Sequence, residues 1–208
     1  MKSVVLPENV LLFPLSGTIL LPHAHTTITF STPGELLTFN QALANPNRLL
    51  GLVQPDSEKG HYKHGSLVKI IGFQESESGK IFLNCEGVSR FEILETYQNQ
   101  GLLHAKVSYE SYLKDLEESP KDPFVDRDRL MSALKVYLQG QDLSLNWDEM
   151  DEISDEFLLN SLAQTCPFDD IEKQALLETK TLAERCEIMT TLIEMASLNG
   201  KKGTISYH

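Results

Sequence analysis

The most informative stretch of this sequence is GKIFLNCEGVSRFEI, which runs from Gly79 to Ile93. Polar and apolar residues largely alternate from Arg90 to Glu95, and this is the period of a half-buried strand. The residues Glu77–Lys80 predict a hairpin turn, because Gly79 can take the positive φ that such turns require. The stretch therefore indicates a β-rich structure in this part of the chain.

Short strands are also predicted on both sides of this stretch, across the first hundred or so residues. The earliest ones are rich in β-branched and aromatic residues and are bounded by Pro, Gly or Ser. The predicted strands are 10–13, 18–21, 26–30, 50–53, 66–74, 80–85, 88–97 and 102–109. About eight strands at this spacing predict a closed or nearly closed antiparallel barrel.

One helix is predicted to interrupt these strands. Thr32 is placed as its N-cap, Pro33 as its first residue and Glu35 as the capping glutamate three residues after the cap. The run Asn45-Pro46-Asn47 is expected to end it. The fold class predicted for the chain is therefore α+β.

The hydrophobic period becomes helical after Tyr112. Residues 119–123 form the predicted linker, with Asp122 as the cap of a helix that begins at Pro123. A helix near 155–164 is predicted to face Phe157, Leu158 and Leu162 inward. Helices are also predicted from a capping box at 169–172 and around Leu182, Cys186, Met189, Leu192, Ile193 and Met195. The predicted domains are a β-rich domain at 1–118, an acidic helical domain at 119–200 and a flexible tail at 201–208.

Composition and charge exclude several classes of function. Apolar residues make up 41% of the 208 residues, enough for a buried core. The net charge is −12, and residues 116–208 contribute −10 of it, which disfavours partners that are nucleic acids or anionic membranes. No apolar run is long enough to span a bilayer, no secretory signal is recognisable, and three widely spaced cysteines suit a reducing compartment. A cytoplasmic location is expected.

Histidines form two candidate metal-binding groups. His23 and His25 are predicted to share one strand face, and His61 and His64 come shortly before another strand. A zinc site usually needs three or four converging ligands, so surface or loop histidines are the favoured interpretation.

Three other candidates each have a structural alternative. Cys85 could be a nucleophile, but its place in a strand favours a buried core residue. Trp147 could belong to an interface, although packing between helices is favoured. Asp169 and Asp170 are better explained as helix caps than as acid/base groups. Since nucleotide-binding, zincin and hydrolase motifs are also missing, no catalytic, cofactor or metal residue is assigned.

Three stretches together resemble the LON N-terminal domain, the substrate-binding region of Lon proteases. They are residues 13–22, which are similar to the family's opening FPL…LFPG segment, residues 62–70, and residues 79–93 with their Gly-x-x-Arg-Phe-x-Ile core. Residues 168–195 are similar to the helices that follow the β-domain in bacterial relatives. The chain departs from many relatives at Ser31–Gly34, where they have an acidic-Pro-Arg-Tyr run.

This resemblance implies a PUA-like β-barrel followed by a helical bundle, and a protein that recognises polypeptides. Gly87 is then expected to allow a turn or bulge, Phe91 and Ile93 to fill the barrel, and Arg90 to pair with a carboxylate or cap carbonyls. No Ser-Lys peptidase dyad or ATPase segment is recognisable, so proteolysis is not carried over.

The leading hypothesis is a non-catalytic module that binds polypeptide segments or unfolded proteins, as an adaptor to a protease or chaperone. The alternatives are a small-ligand binder or unrecognised enzyme, and an RNA-binding PUA-like domain. No cofactor is expected, and the sequence does not identify the partner-binding residues.

Overall fold

The computed structural model describes residues 6–117, 122–143, 146, 147, 150 and 152–198. These residues form two compact units. The first contains the described residues up to Ser16 together with Leu20–Leu116, and the second contains Gly17–Ile19 together with the described residues from Glu117 onward. The predicted tail at 201–208 and the predicted linker residues 119–121 lie outside the described residues. The predicted division at residue 118 into separate folding domains stays a prediction.

The first unit is built on one six-stranded sheet. Its strands are β1 (Asn9–Pro14), β2 (His25–Phe30), β3 (Leu49–Val53), β4 (His64–Glu75), β5 (Ile81–Asn99) and β6 (Leu102–Ser108). The order is β2-β5-β4-β3-β1-β6, and β6 also pairs with β5. The pairings among β5, β4, β3, β1 and β6 therefore form a closed circuit, with β2 added beside β5. The predicted α+β class is confirmed by these strands together with the helices.

The prediction of a wholly antiparallel sheet is wrong for one pair of strands. β1 and β3 are parallel, with Leu12 opposite Gly51 and Pro14 opposite Val53. Parallel neighbours need a connection of a dozen or more residues, and the chain between β1 and β3 contains both β2 and a helix. The long connection that holds the helix therefore also permits the parallel pairing.

Three of the predicted strands need correction. Residues Thr18–Leu21 do not form a strand, although Ile19, Leu20 and Leu21 are almost completely buried. The predicted strands at 80–85 and 88–97 are one continuous strand, β5. Apolar content predicted burial correctly at both places, but a short apolar run does not specify whether the backbone pairs.

A β-bulge in the middle of β5 explains why it resembled two strands. Ser89 lies opposite Leu67 and Gly87 lies opposite Val68, so Val88 is an extra residue in β5. An extra residue shifts the alternation of the strand by one position. Odd-numbered side chains after the bulge therefore point to the opposite face from odd-numbered side chains before it. Ile81, Leu83 and Cys85 accordingly join one buried cluster, whereas Phe91 and Ile93 join another. The predictions of a bulge at Gly87 and of burial for Phe91 and Ile93 are confirmed.

Helix α1 (Pro33–Ala44) begins as the sequence predicts. The Glu35 backbone N–H donates to the Thr32 hydroxyl, and the Glu35 carboxylate accepts from the Thr32 backbone N–H at 2.7 Å. Hydrogen bonds from the backbone N–H groups of Thr32 and Ser31 hold the pKa of the Glu35 carboxyl below its ordinary value. The reciprocal bonds satisfy donors that the first helical turn would otherwise leave unpaired.

The second unit contains helices α2 (Arg127–Gly140), α3 (Asp155–Thr165), α4 (Asp170–Glu178) and α5 (Leu182–Leu198). Among the described residues, α5 packs against the other three helices. The side chains of Leu134, Leu159, Leu176 and Met189 are almost completely buried here, one from each helix. The capping box at Asp169 and Glu172 is confirmed.

Two predictions for the helical segment are wrong. The first of these helices begins at Arg127 with Asp126 as its N-cap, not at Pro123. Asp122 instead accepts hydrogen bonds from the backbone N–H groups of Phe124 and Ala183, both at 3.1 Å. Phe157 was predicted to face inward but is 60% exposed, because Leu158, Leu159 and Leu162 occupy the buried side of α3.

Two buried cationic side chains of the second unit, Lys173 and Arg185, have specific hydrogen-bond acceptors. Arg185 donates to the Asn160 side chain at 2.9 Å and to the Thr179 hydroxyl at 3.2 Å. Lys173 donates to the Gly17 carbonyl at 2.7 Å, and burial lowers the pKa of its ammonium group. These bonds replace the water that the groups lose on folding, so they maintain the structure of the unit.

Candidate functional site

The first histidine pair does not form the predicted metal-binding face. His23 has a φ of +62° and lies in the turn before β2, whereas His25 is the first residue of that strand. The two side chains therefore do not follow the alternation of one strand. The prediction that they share a strand face is wrong.

The second histidine pair is engaged in local contacts. The His61 Nδ1 lies 2.9 Å from the Tyr62 carbonyl oxygen, and the His64 Nδ1 lies 3.0 Å from the Tyr112 hydroxyl. In the part of the chain that the structure describes, no three His, Cys, Asp or Glu side chains are grouped so that they could hold a metal ion. His61 and His64 therefore each have a local partner in the described structure.

The cysteines are buried and unpaired, as was favoured for Cys85. Burial raises the pKa of the Cys85 and Cys166 thiols to about 12, and it also raises the pKa of the Cys186 thiol. At pH 8 only about one in ten thousand of a thiol with that pKa is present as the reactive thiolate. The described structure thus gives Cys85 neither the exposure nor the ionisation of a nucleophile.

We expect the native chain to react very slowly with a disulfide reagent such as dithionitrobenzoate at pH 8. The same chain in denaturant should release three equivalents of the chromophore promptly, because unfolding exposes all three thiols and restores their ordinary pKa. Absorbance at neutral to mildly alkaline pH follows the reaction. Prompt reaction of one equivalent in the native protein would contradict the described burial.

Arg90 is held by several polar contacts inside the first unit. Its backbone N–H and Nε donate to Asp115 Oδ2 at 2.8 and 2.9 Å, and its Nη2 donates to Asp115 Oδ1 at 2.7 Å. The guanidinium carbon lies 4.2 Å from the centre of the Tyr112 ring. The predicted carboxylate partner is confirmed, and both side chains are at most 6% exposed.

Sequence reasoning did not identify Asp115 as that partner. Asp115 lies 25 residues after Arg90, in a 3-10 segment at Glu110–Leu116 that carries no distinctive motif. The cluster attaches this segment to β5 by a two-bond fork and a cation–π contact. Because the cluster is buried and its polar atoms face one another, its role is structural.

The helix-cap interpretation of Asp169 is confirmed, whereas packing of Trp147 between helices stays a prediction. Trp147 is half-buried, and the Lys135 ammonium lies 5.0 Å from the centre of its ring. Asp169 accepts from the Glu172 backbone N–H at 2.9 Å, so it caps α4.

One face of the section formed by β2, the start of β5 and the end of β4 is mostly exposed. We call this the outer face. Side chains directly opposite one another on paired strands share a face, and the pairings define three rows of three. The rows are His25, Glu86 and Lys69, then Thr27, Asn84 and Gly72, then Thr29, Phe82 and Gln74.

The outer face is mostly uncharged although the chain is strongly acidic. The formally charged residues are confined to the first row, at Glu86 and Lys69. Phe82 is 37% exposed, and the Thr27 hydroxyl donates to the Asn84 side-chain oxygen at 3.0 Å. A surface of hydroxyl, amide and aromatic groups can contact a polypeptide without favouring one sign of charge.

The opposite side of this section carries a row of aromatic rings. Phe13, Phe30, Phe39 and Phe73 follow one another with ring centres 4.5, 6.3 and 5.1 Å apart. The first three rings are buried, and Phe73 is 47% exposed at the end of the row. Phe73 lies opposite Leu83 in the sheet, so it does not share a face with Phe82. The row therefore belongs to the buried core, and only Phe73 at its end is exposed.

Comparison with known proteins relates this arrangement to one family. Residues 9–195 match the family model described as the ATP-dependent protease La (LON) substrate-binding domain. The N terminal domain of Mycobacterium avium complex Lon protease superposes with a TM-score of 0.68 at 17% identity, over 89% of this chain and 97% of that one. A Lon N-terminal domain protein from Xanthomonas campestris gives 0.63 at 18% identity, over 88% and 97%.

These structural likenesses concern the fold, since both identities are below one residue in five. No curated protein matches the sequence. None of the helices in the described part of the chain is long and apolar enough to cross a membrane.

Proposed function

The chain belongs to the Lon substrate-binding domain family, and on that basis we propose that it is a non-catalytic module that binds exposed segments of unfolded polypeptide. The observation that carries this proposal is the family match over residues 9–195, which includes both compact units. The mostly uncharged outer face supports it, because a module that accepts many sequences gains from a surface without strong charge selectivity.

The role within the cell follows from the same proposal. Binding without chemistry is the property of an adaptor that presents clients to a protease or a chaperone in protein quality control. The three unpaired, buried cysteines support a cytoplasmic location, where thiols stay reduced. The strong negative charge of the second half supports a protein client over a nucleic acid.

The finer description of the fold is part of this proposal. The closed circuit of strand pairings with β2 beside it is consistent with a small PUA-like barrel. The packing of α5 against the other described helices is consistent with a helical bundle. We expect a cut near residue 118 to separate a β-rich domain from an acidic helical domain.

The direct test compares one polypeptide in two states. Ribonuclease that has been reduced and carbamidomethylated is permanently unfolded, whereas native ribonuclease has the same residues and is folded. We expect the full chain to bind the unfolded form at least about tenfold more tightly, measured by calorimetry or fluorescence anisotropy. The preference should persist at about 0.5 M salt, because apolar and main-chain contacts are screened little.

Equal binding of the two forms would overturn the proposal. Binding that disappears with salt would also count against it, since ribonuclease is basic and this chain is acidic. The native form is the matched control for both outcomes.

A further inference from the structure

β2 has only one hydrogen-bonded neighbour among the described strands. It pairs with β5 in an unbroken register, from His25 opposite Glu86 to Phe30 opposite Ile81. The sheet order places β2 at the end of the row of strands, so its other side is an edge. An edge strand presents backbone donors and acceptors that only another extended chain can satisfy in full.

The register shows which peptide groups face outward. The Gly87 backbone N–H donates to the Ala24 carbonyl at 2.9 Å, so the Ala24 carbonyl points towards β5 and sets the alternation for the strand that follows. Hydrogen-bonded and non-bonded pairs alternate along an antiparallel ladder. Thr26, Ile28 and Phe30 therefore bond to β5, and the N–H and C=O groups of His25, Thr27 and Thr29 point to the other side. We call these three residues the β2 edge.

The β2 edge ends where other groups take over the hydrogen bonding. The next outward N–H, that of Ser31, donates to the Glu35 carboxylate at 2.7 Å. Before the strand, the His23 N–H donates to the Gly87 carbonyl at 3.0 Å. Within the described residues, the peptide groups of the β2 edge have no such partner.

Two other open stretches of this sheet carry features that discourage strand addition. The unpaired side of β4 at 71–75 contains a bulge at Ile71 and a charge at Glu75. The unpaired side of β5 at 94–99 contains a bulge at Leu94 and a charge at Glu95. Bulges and charged residues are the usual means by which proteins protect an edge. β2 contains no bulge, no proline and no acidic residue, Lys or Arg.

We propose that the β2 edge binds its client by strand addition, with an extended, proline-free segment of unfolded polypeptide pairing with His25, Thr27 and Thr29. This inference rests on the proposed function and names the place and chemistry of binding. The contacts are made by main-chain groups that every residue except proline shares, so recognition tolerates many sequences. The uncharged rows of the outer face lie beside the added strand and impose no charge preference.

The first test changes one donor of the β2 edge in the full chain. Thr27→Pro removes an outward N–H and leaves the bonds to β5, since proline is tolerated at an edge where its nitrogen faces solvent. We expect its affinity for reduced, carbamidomethylated ribonuclease to fall about tenfold or more. The matched control, Thr27→Val, keeps the N–H and removes only the hydroxyl, so its affinity should stay within about twofold of the unmodified chain. Equal loss in both variants, or no loss in Thr27→Pro, would overturn the inference.

The second test uses the unmodified chain and does not depend on how the variant folds. Adding the same probe at saturation should slow amide hydrogen exchange at His25, Thr27 and Thr29, and should leave Thr26 and Ile28 nearly unchanged because they already bond to β5. Binding without this alternating protection would overturn strand addition and leave the proposed function standing. No binding of the probe would overturn both. Alternating protection that appears on concentrating the chain alone would make a second copy the occupant and would overturn the client assignment.

Discussion

Gly87→Ala is expected to lower the free energy of unfolding by about 3 kcal/mol or more. A Cβ atom at this position would lie 2.0 Å from the Leu21 carbonyl oxygen and 2.8 Å from its carbon. The neighbouring atoms are backbone, and hydrogen bonds between Gly87 and both His23 and Ala24 hold that backbone in place. The chain can therefore relieve the overlap only by breaking those bonds or by distorting the bulge at Val88.

The matched control is Gly72→Ala, in the neighbouring strand of the same sheet. Its added Cβ would meet only the Asn84 side-chain nitrogen, at 3.9 Å, which is an ordinary contact. Urea denaturation followed by circular dichroism gives the free energy of unfolding of each variant. A Gly87→Ala chain as stable as the Gly72→Ala chain would show that residues 21–24 do not approach β5 as described.

Asp115→Ala is expected to lower the free energy of unfolding by about 3–5 kcal/mol. Removal of the carboxylate leaves the Arg90 guanidinium buried without its main acceptor, together with a backbone N–H that it also satisfied. The cost of leaving the Arg90 charge buried without its carboxylate is mainly the hydration that the charge has lost. The contact with the Tyr112 ring compensates only part of this cost. The 3-10 segment at Glu110–Leu116 should also lose its attachment to β5.

Two comparisons distinguish a buried pair from salt bridges in general. Glu194→Ala breaks the exposed pair with Arg129, whose side chains are 50% and 43% exposed, and should change the free energy of unfolding by less than about 1 kcal/mol. The double variant Arg90→Met with Asp115→Leu removes both charges and should recover much of the loss. Thermal and urea unfolding measure all of these variants. Equal effects of Asp115→Ala and Glu194→Ala would refute the buried position of the Arg90 cluster.

Features that depend on neighbouring residues in the chain were predictable from the sequence. The capping boxes at Thr32–Glu35 and Asp169–Glu172 are examples, since each is complete within four positions. Burial of Cys85, Phe91 and Ile93 also followed from their apolar character in strands. The family resemblance was carried by residues such as Gly87 and Arg90. Gly87 has no room for a Cβ atom, and the buried Arg90 side chain needs a carboxylate partner.

Features that depend on distant residues could not be predicted in the same way. Asp122 resembled a cap for the segment beside it, but it binds the first turn of α5 about sixty residues later. Thr18–Leu21 resembled a strand because it is apolar and β-branched, yet Ile19, Leu20 and Leu21 are buried without strand pairing. For Asp122, a hydrogen bond to a residue far along the chain determined the outcome, and the residues beside Asp122 do not indicate that partner.

Sequence alone was sufficient for the α+β class, the family and the absence of a recognisable catalytic motif, because these follow from periodicity, composition and short motifs. Only the tertiary structure showed that Asp115 is the partner of Arg90, that β1 and β3 are parallel, and that the β2 edge has an open backbone. The physical reason is that strand pairing and register come from contacts between residues far apart in the chain. The sequence around one partner of such a contact does not identify the other partner. The candidate binding edge is made of peptide groups that every strand contains, so only their lack of a neighbour distinguishes them.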